Sequence, residues 1–396
     1  MLRDVVSDAY RNVIEALRTV TLWLEKGLNL VFTQKYNPLY YHGALPNFFL
    51  WVLYLSGLLL FAYYVPTLEG AYNSVNYITS RIPSGALFRA THRYAADAMM
   101  IFVLVHFFRV LFTDRYREYR ILPWITGVLL ITVMFIAGLT GYMLIWDADS
   151  VALTFRTMEL LNAIPVIGPS VTEKALLIGG QQITDYTLTR YMFLHFAIPS
   201  SMLFFLWWHY LRITRPVTNA PLALNLLMFG GLLMFCGIFP VAIGQAPPVN
   251  LSDMAFIPQA IKDVDWLYMF PQGFLVTGKT IGFAWLVTLG IPLGMLLLPY
   301  VQSKQFVGQF AQVVSDNCTG CSLCYHDCPY EAIEMHDRDD NTKFKRIAVV
   351  DVGRCANCGL CVGACAFKAI EIPRSQTPNV FAEIEAAMAR AEAAPV

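Results

Sequence analysis

The chain has 396 residues, of which 57% are hydrophobic and 14% charged, and its 28 basic and 28 acidic side chains cancel. A mean hydropathy of +0.51 excludes an ordinary soluble domain or a disordered chain and points to a polytopic membrane protein, with no nucleic-acid partner expected. Eight of the nine cysteines fall in two tight groups between Cys318 and Cys365, a pattern of metal ligation rather than of a secreted disulfide scaffold.

In chain order, the polar N-terminus has no cleavable signal pattern. Between residues 4 and 31, Val6, Tyr10, Val13, Leu17, Val20, Leu24, Leu28 and Val31 recur three or four apart. They predict an amphipathic helix, lying on the membrane surface or packed on a partner subunit. Six apolar stretches long enough to span a bilayer follow: 47–65, 90–113, 123–146, 189–213, 222–243 and 274–299. A polar segment with the run IPVIGPS separates the third from the fourth and predicts a pair of short surface helices. Basic residues cluster before the first span (Arg3, Arg11, Arg18, Lys26, Lys35), after the second (Arg109, Arg115, Arg117, Arg120) and after the fourth (Arg212, Arg215). By the positive-inside rule both termini are then cytoplasmic, in a bacterial or archaeal cytoplasmic membrane. From about residue 300 the composition turns soluble, and 315–335 and 352–372 are an internal repeat with the same cysteine spacing and the same Ala-Ile-Glu ending. An Ala- and Glu-rich tail closes the chain.

Two histidine pairs carry the membrane chemistry. His92 and His106 lie fourteen residues apart in the second span, and His195 and His209 fourteen apart in the fourth. That interval is almost four helical turns, so both members of a pair share a face about 21 Å apart along the axis. Two such helices can hold two stacked haems by bis-imidazole ligation. A lone intramembrane histidine is as readily a hydrogen-bonded core residue; matched pairs on two helices favour ligation. Gly43 and Gly57, and Gly127 and Gly141, repeat the interval at the first and third spans, where a packed haem needs helices without side-chain bulk. Membrane helices also use glycine for plain packing.

Over residues 33–299 the sequence resembles the cytochrome b and cytochrome b6 family of bc and b6f complexes. The runs SVNYITSRIPSGALFRATHRYAADAMM, WITGVLLITVMFIAGLTGYMLIWD, NAIPVIGPS and TLTRYMFLHF carry the resemblance to the b6 branch. It implies that His92 and His195 ligate an outer haem b, and His106 and His209 an inner one. It also implies that Arg89 and Arg190 near the outer haem, and Arg109 and Arg212 near the inner, meet propionates. The family's outer quinol site departs from pattern: GYMLIWD has Ile145 where proline is expected, and the PEWY motif is replaced by VDWLY, Val264 to Tyr268. Asp265 either takes the place of the proton-accepting glutamate or is a loop residue. Tyr41 stands where the b6 branch has a haem-tethering cysteine, and His42 beside it reads as a surface histidine, with the lining of an inner quinone pocket or a ligand role as the alternative. The family's usual seventh helix is replaced in order by the cysteine repeat.

Cys318, Cys321, Cys324 and Cys328 follow C-x2-C-x2-C-x3-C, and Cys355, Cys358, Cys361 and Cys365 repeat it. This resembles the bacterial two-cluster ferredoxin, in which the fourth cysteine of each run ligates the other cluster. The resemblance implies one 4Fe-4S cluster on Cys318, Cys321, Cys324 and Cys365 and another on Cys355, Cys358, Cys361 and Cys328. Zinc is the rival metal for such thiolates. His326 and His336 read as surface residues, and Cys236 as a buried apolar one.

The expected fold is an all-α polytopic membrane domain, a di-haem four-helix bundle plus two further transmembrane helices, followed by a small α+β ferredoxin-like domain. The expected boundaries are 1–36 for the surface helix, 37–218 for the bundle, 219–300 for the two further spans, 301–375 for the ferredoxin domain and 376–396 for the tail. The expected function is electron transfer between a cytoplasmic iron-sulfur donor or acceptor and the quinone pool, with quinone or quinol as substrate. Its partners would be a dehydrogenase or an iron-sulfur or flavin subunit on the cytoplasmic side, and a second copy of the chain. A bc-type core with a Rieske protein or c-type cytochrome outside is the alternative, and a non-enzymatic membrane anchor for a dehydrogenase a second.

Overall fold

The structure is a computed structural model that describes all residues except 1–12, 14, 15, 18, 22, 26, 33–35, 113–115, 117–120, 167, 173–182, 212–217, 240–247, 249–264, 266, 277, 278, 302–309, 329–331, 341, 353, 354, 356–359 and 372–396. The chain divides into two units, one comprising 25–111 and 115–303, the other 1–24, 112–114 and 304–396.

In the first unit the helices run α1 (Ala44–Phe61), α2 (Gly70–Arg81), α3 (Gly85–Phe112), α4 (Ile121–Met143), α5 (Ala148–Asn162), α6 (Asp185–Leu211), α7 (Leu222–Ile238), α8 (Phe270–Val276) and α9 (Ile281–Val301). Five of them, α1, α3, α4, α6 and α9, are long and apolar enough to cross a membrane, and α7 is a shorter apolar helix of 17 residues. Multi-pass architecture follows from this and from the apolar side chains the helices leave outward, among them Leu55, Phe193, Trp207, Leu226 and Leu286.

The expected sixth span, 274–299, is two helices. α8 stops at Val276, and α9 begins after Thr280, whose hydroxyl accepts from Phe283 N at 3.3 Å in an N-cap. The Gly-Lys-Thr run before it supplies a weak helix former, a charge that resists hydrocarbon and the capping residue. The expected fifth span, 222–243, is described as helix only to Ile238. The surface pair after the third span is represented by α5, N-capped by Asp147, which accepts from Ser150 N at 2.9 Å. The described residues between 13 and 32 are helical and expose Val13, Val20, Leu24 and Val31 of the apolar face that the periodicity predicts.

α1, α3, α4 and α6 pack around a core of Phe49, Leu50, Ala95, Met99, Met134 and Met202. Tyr54 in α1 reaches across to donate to Pro199 O in α6 at 2.7 Å. α9 is pinned on the outside of the bundle by two indoles: Trp285 Nε1 donates to Leu160 O at 3.0 Å, and Trp124 Nε1 to Met295 O at 2.6 Å. Pro299 lies four residues after Met295 and cannot donate to that carbonyl, so Trp124 supplies the hydrogen bond that the helix lacks.

In the second unit β1 (Gln312–Val313) pairs antiparallel with β4 (Ile370–Glu371), and β2 (Ile333–Asp337) with β3 (Arg346–Val350). Two short helices, α10 (Leu323–His326) and α11 (Leu360–Ala364), occupy equivalent places in the two repeats. The small core joins Ala311, Ile333, Ala348, Ala369 and Ile370 to Cys318, Cys324 and Cys361. Cys236, in the first unit, is buried at 1% exposure as expected of an apolar residue.

Candidate haem, quinone and iron-sulfur sites

Helical geometry brings the four histidines together two by two. The ring centres of His92 (α3) and His195 (α6) are 6.3 Å apart with planes at 72°, and those of His106 and His209 are 6.4 Å apart at 78°. Two metal–imidazole bonds of about 2.0–2.1 Å placed end to end, with each ring centre about 1.1 Å behind its nitrogen, span about 6.2–6.4 Å. Each pair therefore stands at the separation that bis-imidazole ligation of one iron requires.

The tautomers agree. Ser56 Oγ donates to Val52 O at 2.7 Å, so it can only accept, at 3.0 Å, from His92 Nδ1. Thr126 Oγ1 is committed to Leu122 O and Pro123 O, both at 3.0 Å, and accepts from His209 Nδ1 at 2.9 Å. His195 Nδ1 faces the Ala137 carbonyl at 3.0 Å, an acceptor only, with Thr140 Oγ1 at 3.3 Å. These partners suit the tautomer with the proton on Nδ1, which leaves the Nε2 lone pair for a metal. His106 Nδ1 lies 2.8 Å from His42 Nδ1.

The four glycines face the same rings. A Cβ on Gly141 would stand 2.8 Å from His195 Cε1, on Gly57 3.1 Å from His92 Cε1, on Gly43 3.4 Å from His106 Cε1 and on Gly127 3.6 Å from His209 Cε1. Beside each histidine Nδ1 is the side chain of the residue immediately before one of these glycines: His42, Ser56, Thr126 and Thr140. The sequence reading missed this second role of the pattern, although the adjacency was there to be seen. His42, expected on the surface, is buried at 7% exposure against His106.

Around His92 and His195 a cavity of about 430 Å³ is lined by Gly57, Arg89, Gly141 and Tyr268. Arg89 donates from Nη1 to Thr79 Oγ1 at 3.1 Å, while its Nη2 is buried without a hydrogen-bond partner among the described residues, as suits a bound anionic group such as a propionate. Arg109 is already engaged by the chain itself, donating from Nε to Glu25 Oε1 at 2.6 Å with both side chains 3% exposed. Arg190 is half-buried in the first turns of α6, and Arg212 lies outside the described residues.

On the same cavity wall Arg93 meets two carboxylates, Asp97 one turn along α3 and Asp265 from the loop before α8. The Tyr142 hydroxyl donates to Asp265 as well, with the Arg93 guanidinium 4.9 Å from its ring centre. Tyr268 locks this loop on the bundle: its hydroxyl donates to Ala96 O at 2.6 Å, and its ring covers Gly138, where a Cβ would stand 2.1 Å from Cδ1. Asp265 is thus brought to the GYMLIWD run, across 123 residues of sequence, in a loop whose Val264 and Trp266 are outside the described residues. Arg93, Asp97 and Tyr142 had no separate signal in the sequence.

In the second unit, burial first and then the neighbouring Cys318, Cys321 and Cys365 push the Cys324 thiol up to about 11. The other three thiols thus disfavour ionisation of Cys324, and a cationic centre would let the four ionise together, as the expected ligand set for one cluster requires. The repeats also match in detail, since Cys328 Sγ accepts from Ala332 N at 3.3 Å and Cys365 Sγ from Ala369 N at 3.2 Å. Such N–H donors to cluster sulfurs raise reduction potential. Cys355 and Cys361 are described and Cys358 is not. Arg338 fixes the first cysteine loop, donating to Ser315 O at 3.1 Å and Cys318 O at 2.9 Å while paired with Asp340. His326 and His336 are exposed.

A helical membrane unit with paired histidines, followed by a cysteine-rich two-fold repeat, defines a membrane redox subunit. The profile of the family described as cytochrome b/b6/petB matches residues 28–216, and that of the 4Fe-4S dicluster domain matches 317–369. The menaquinol:cytochrome c reductase cytochrome b subunit of Geobacillus thermodenitrificans is 35% identical over 185 residues, 46% of this chain and 82% of that one. Cytochrome b6 of Acaryochloris marina is 36% identical over 172 residues, 43% and 79% of the two chains. A solved chain of a hyperthermophilic respiratory Complex III shares the fold, with a TM-score of 0.52 and 22% identity over 66% of this chain and 75% of that one. The chain belongs to the cytochrome b/b6 family and carries a 4Fe-4S dicluster ferredoxin domain at its C-terminus. Family and domain imply haem b and 4Fe-4S as its cofactors.

Proposed function

We propose that this chain is the di-haem cytochrome b subunit of a quinol-reactive complex and exchanges electrons between the membrane quinone pool and its own two-cluster ferredoxin domain. The observation that carries the reading is the pairing of four histidines at ligation distance, each with Nδ1 held by a hydrogen-bond partner. His92 with His195 and His106 with His209 are the proposed ligands of two haems b. Cys318, Cys321, Cys324 and Cys365, and Cys355, Cys358, Cys361 and Cys328, are those of two clusters. Bound there, haem and 4Fe-4S supply the one-electron carriers that the side chains lack. The chain's part is to fix spacing, tautomer and burial, which tune potential.

Behind Arg93 and Tyr142 of the cavity wall, Asp265 is the proposed acceptor of a quinol proton, with Tyr142 and Arg93 orienting the carboxylate. Two carboxylates around one guanidinium let the site take up a proton without building net positive charge. This cluster favours a second reading of the partners: quinol oxidised here would divide its electrons between a Rieske or c-type cytochrome subunit and the haems. The name of the Geobacillus relative is consistent with such a complex. The first reading keeps a dehydrogenase or iron-sulfur or flavin subunit as partner to the ferredoxin domain, on the cytoplasmic side by the positive-inside reading. Purification of the intact complex from native membranes separates them. A Rieske subunit supports the second reading, a dehydrogenase the first, and a preparation without b-type absorption bands refutes both.

A further inference from the structure

Three of the four histidines have Nδ1 against a hydroxyl or carbonyl of the neighbouring helix, and the fourth, His106, has it against another imidazole. His106 stands 2.8 Å from the Nδ1 of His42, with ring centres 4.8 Å apart at 44°. For His106 to present an Nε2 lone pair, its Nδ1 must carry the proton and donate it to His42, which then accepts through its own Nδ1. His42 is positioned for this. It sits in the turn before α1, where Ala44 N and Leu45 N both donate to Tyr41 O, at 2.8 and 2.9 Å. Gly43 next to it leaves the 3.4 Å that the His106 ring edge needs. Below the turn, fully buried Asn37 donates to Glu25 O at 3.0 Å and to Asn29 Oδ1 at 2.7 Å and accepts from Leu39 N at 2.9 Å. Glu25 in turn holds Arg109, one helical turn from His106.

We propose that His42 is a positioning residue that distinguishes the two haem sites electrochemically: by accepting the His106 Nδ1 proton it holds the haem of His106 and His209 at a lower midpoint potential than a hydroxyl would. An imidazole nitrogen is a stronger hydrogen-bond acceptor than an alcohol oxygen. It draws the Nδ1 proton outward and leaves His106 a more electron-rich ligand, and an electron-rich ligand favours ferric iron. Ser56 at the corresponding place in the other pair, and Thr126 and Thr140 on α4, are weaker acceptors already committed as donors. The proposal rests on the di-haem reading, and haem content tests that reading separately from midpoint potential.

The test is a redox titration of the full-length protein in detergent, followed at the b-haem α-band, with H42S, which installs the hydroxyl found at the other pair, and H42N, whose Oδ1 stands where His42 Nδ1 stands. Single H92A and H106A variants assign each midpoint to its pair. In H42S the midpoint of the His106–His209 haem shifts upward and that of the His92–His195 haem stays in place; H42N falls between H42S and the wild type. An H42S protein with both haems and unchanged midpoints overturns the proposal, as does a downward shift or an equal shift of both haems. If H42S loses a haem, H42N must retain it, and loss in both overturns the proposal too. A wild-type protein without haem would refute the parent reading instead.

Discussion

Substituting the four site glycines by alanine one at a time gives a graded expectation. The Gly141 Cβ would stand 2.8 Å from His195 Cε1, and the ring must retreat by about 0.6 Å to reach the 3.4 Å at which ordinary contact begins. It has nowhere to go, since Nδ1 is tied to Ala137 O at 3.0 Å and iron ligation would fix the opposite nitrogen. Overpacking of this kind costs about 1–3 kcal/mol, or roughly a 5- to 150-fold weaker haem affinity. G127A makes only an ordinary 3.6 Å contact with His209 and is expected to keep its haem. G57A, at 3.1 Å, falls between them, and G43A, at 3.4 Å, lies close to G127A. The assay is haem per chain by pyridine haemochrome in purified protein, with competition by apo-myoglobin to grade affinity. Equal haem loss in G127A and G141A, or full retention in G141A, would refute the steric reasoning.

Three other outcomes are expected. D265N, which keeps the shape but cannot take a proton, should slow haem reduction by quinol by roughly 10²-fold or more while dithionite-reducible haem is unchanged; a wild-type rate would remove Asp265 from the chemistry. C365A should cut non-haem iron from about eight to about four per chain by losing the cluster expected on the first cysteine run, and EPR of the reduced protein would show one cluster signal instead of two coupled ones. Arg338 donates a hydrogen bond that holds the Asp340 carboxyl below the usual carboxylate range. The stability this gives the Cys318 loop is present above about pH 4 and lost as pH falls through the lowered value. D340N should therefore bleach its clusters faster than wild type at pH 6–7, and the difference should vanish in strong acid; a difference that grows in acid would contradict the assignment.

The apolar stretches, the histidine pairs and the cysteine repeat were legible because each is a periodic or repeated pattern within a short stretch of chain. What was not legible came from long-range packing. Asp265 reads as a loop residue until Tyr268 docks on Gly138, and the role of Arg93 needs carboxylates from α3 and from a loop 172 residues away. The division between α8 and α9 turned on a short Gly-Lys-Thr run in an otherwise apolar stretch. His42 was misjudged because an isolated histidine beside a tyrosine carries no local sign of burial. Its sign is that it precedes a glycine at the haem interval, as Ser56, Thr126 and Thr140 do, and that adjacency gains meaning only when the rings they support are seen.

The most direct measurement is haem stoichiometry, with resolved midpoints, in wild type and in H92A and H106A. Two b-type haems per chain are expected in wild type and one in each variant, with a different midpoint lost in each case. A variant that keeps both haems with an unaltered spectrum would contradict this expectation.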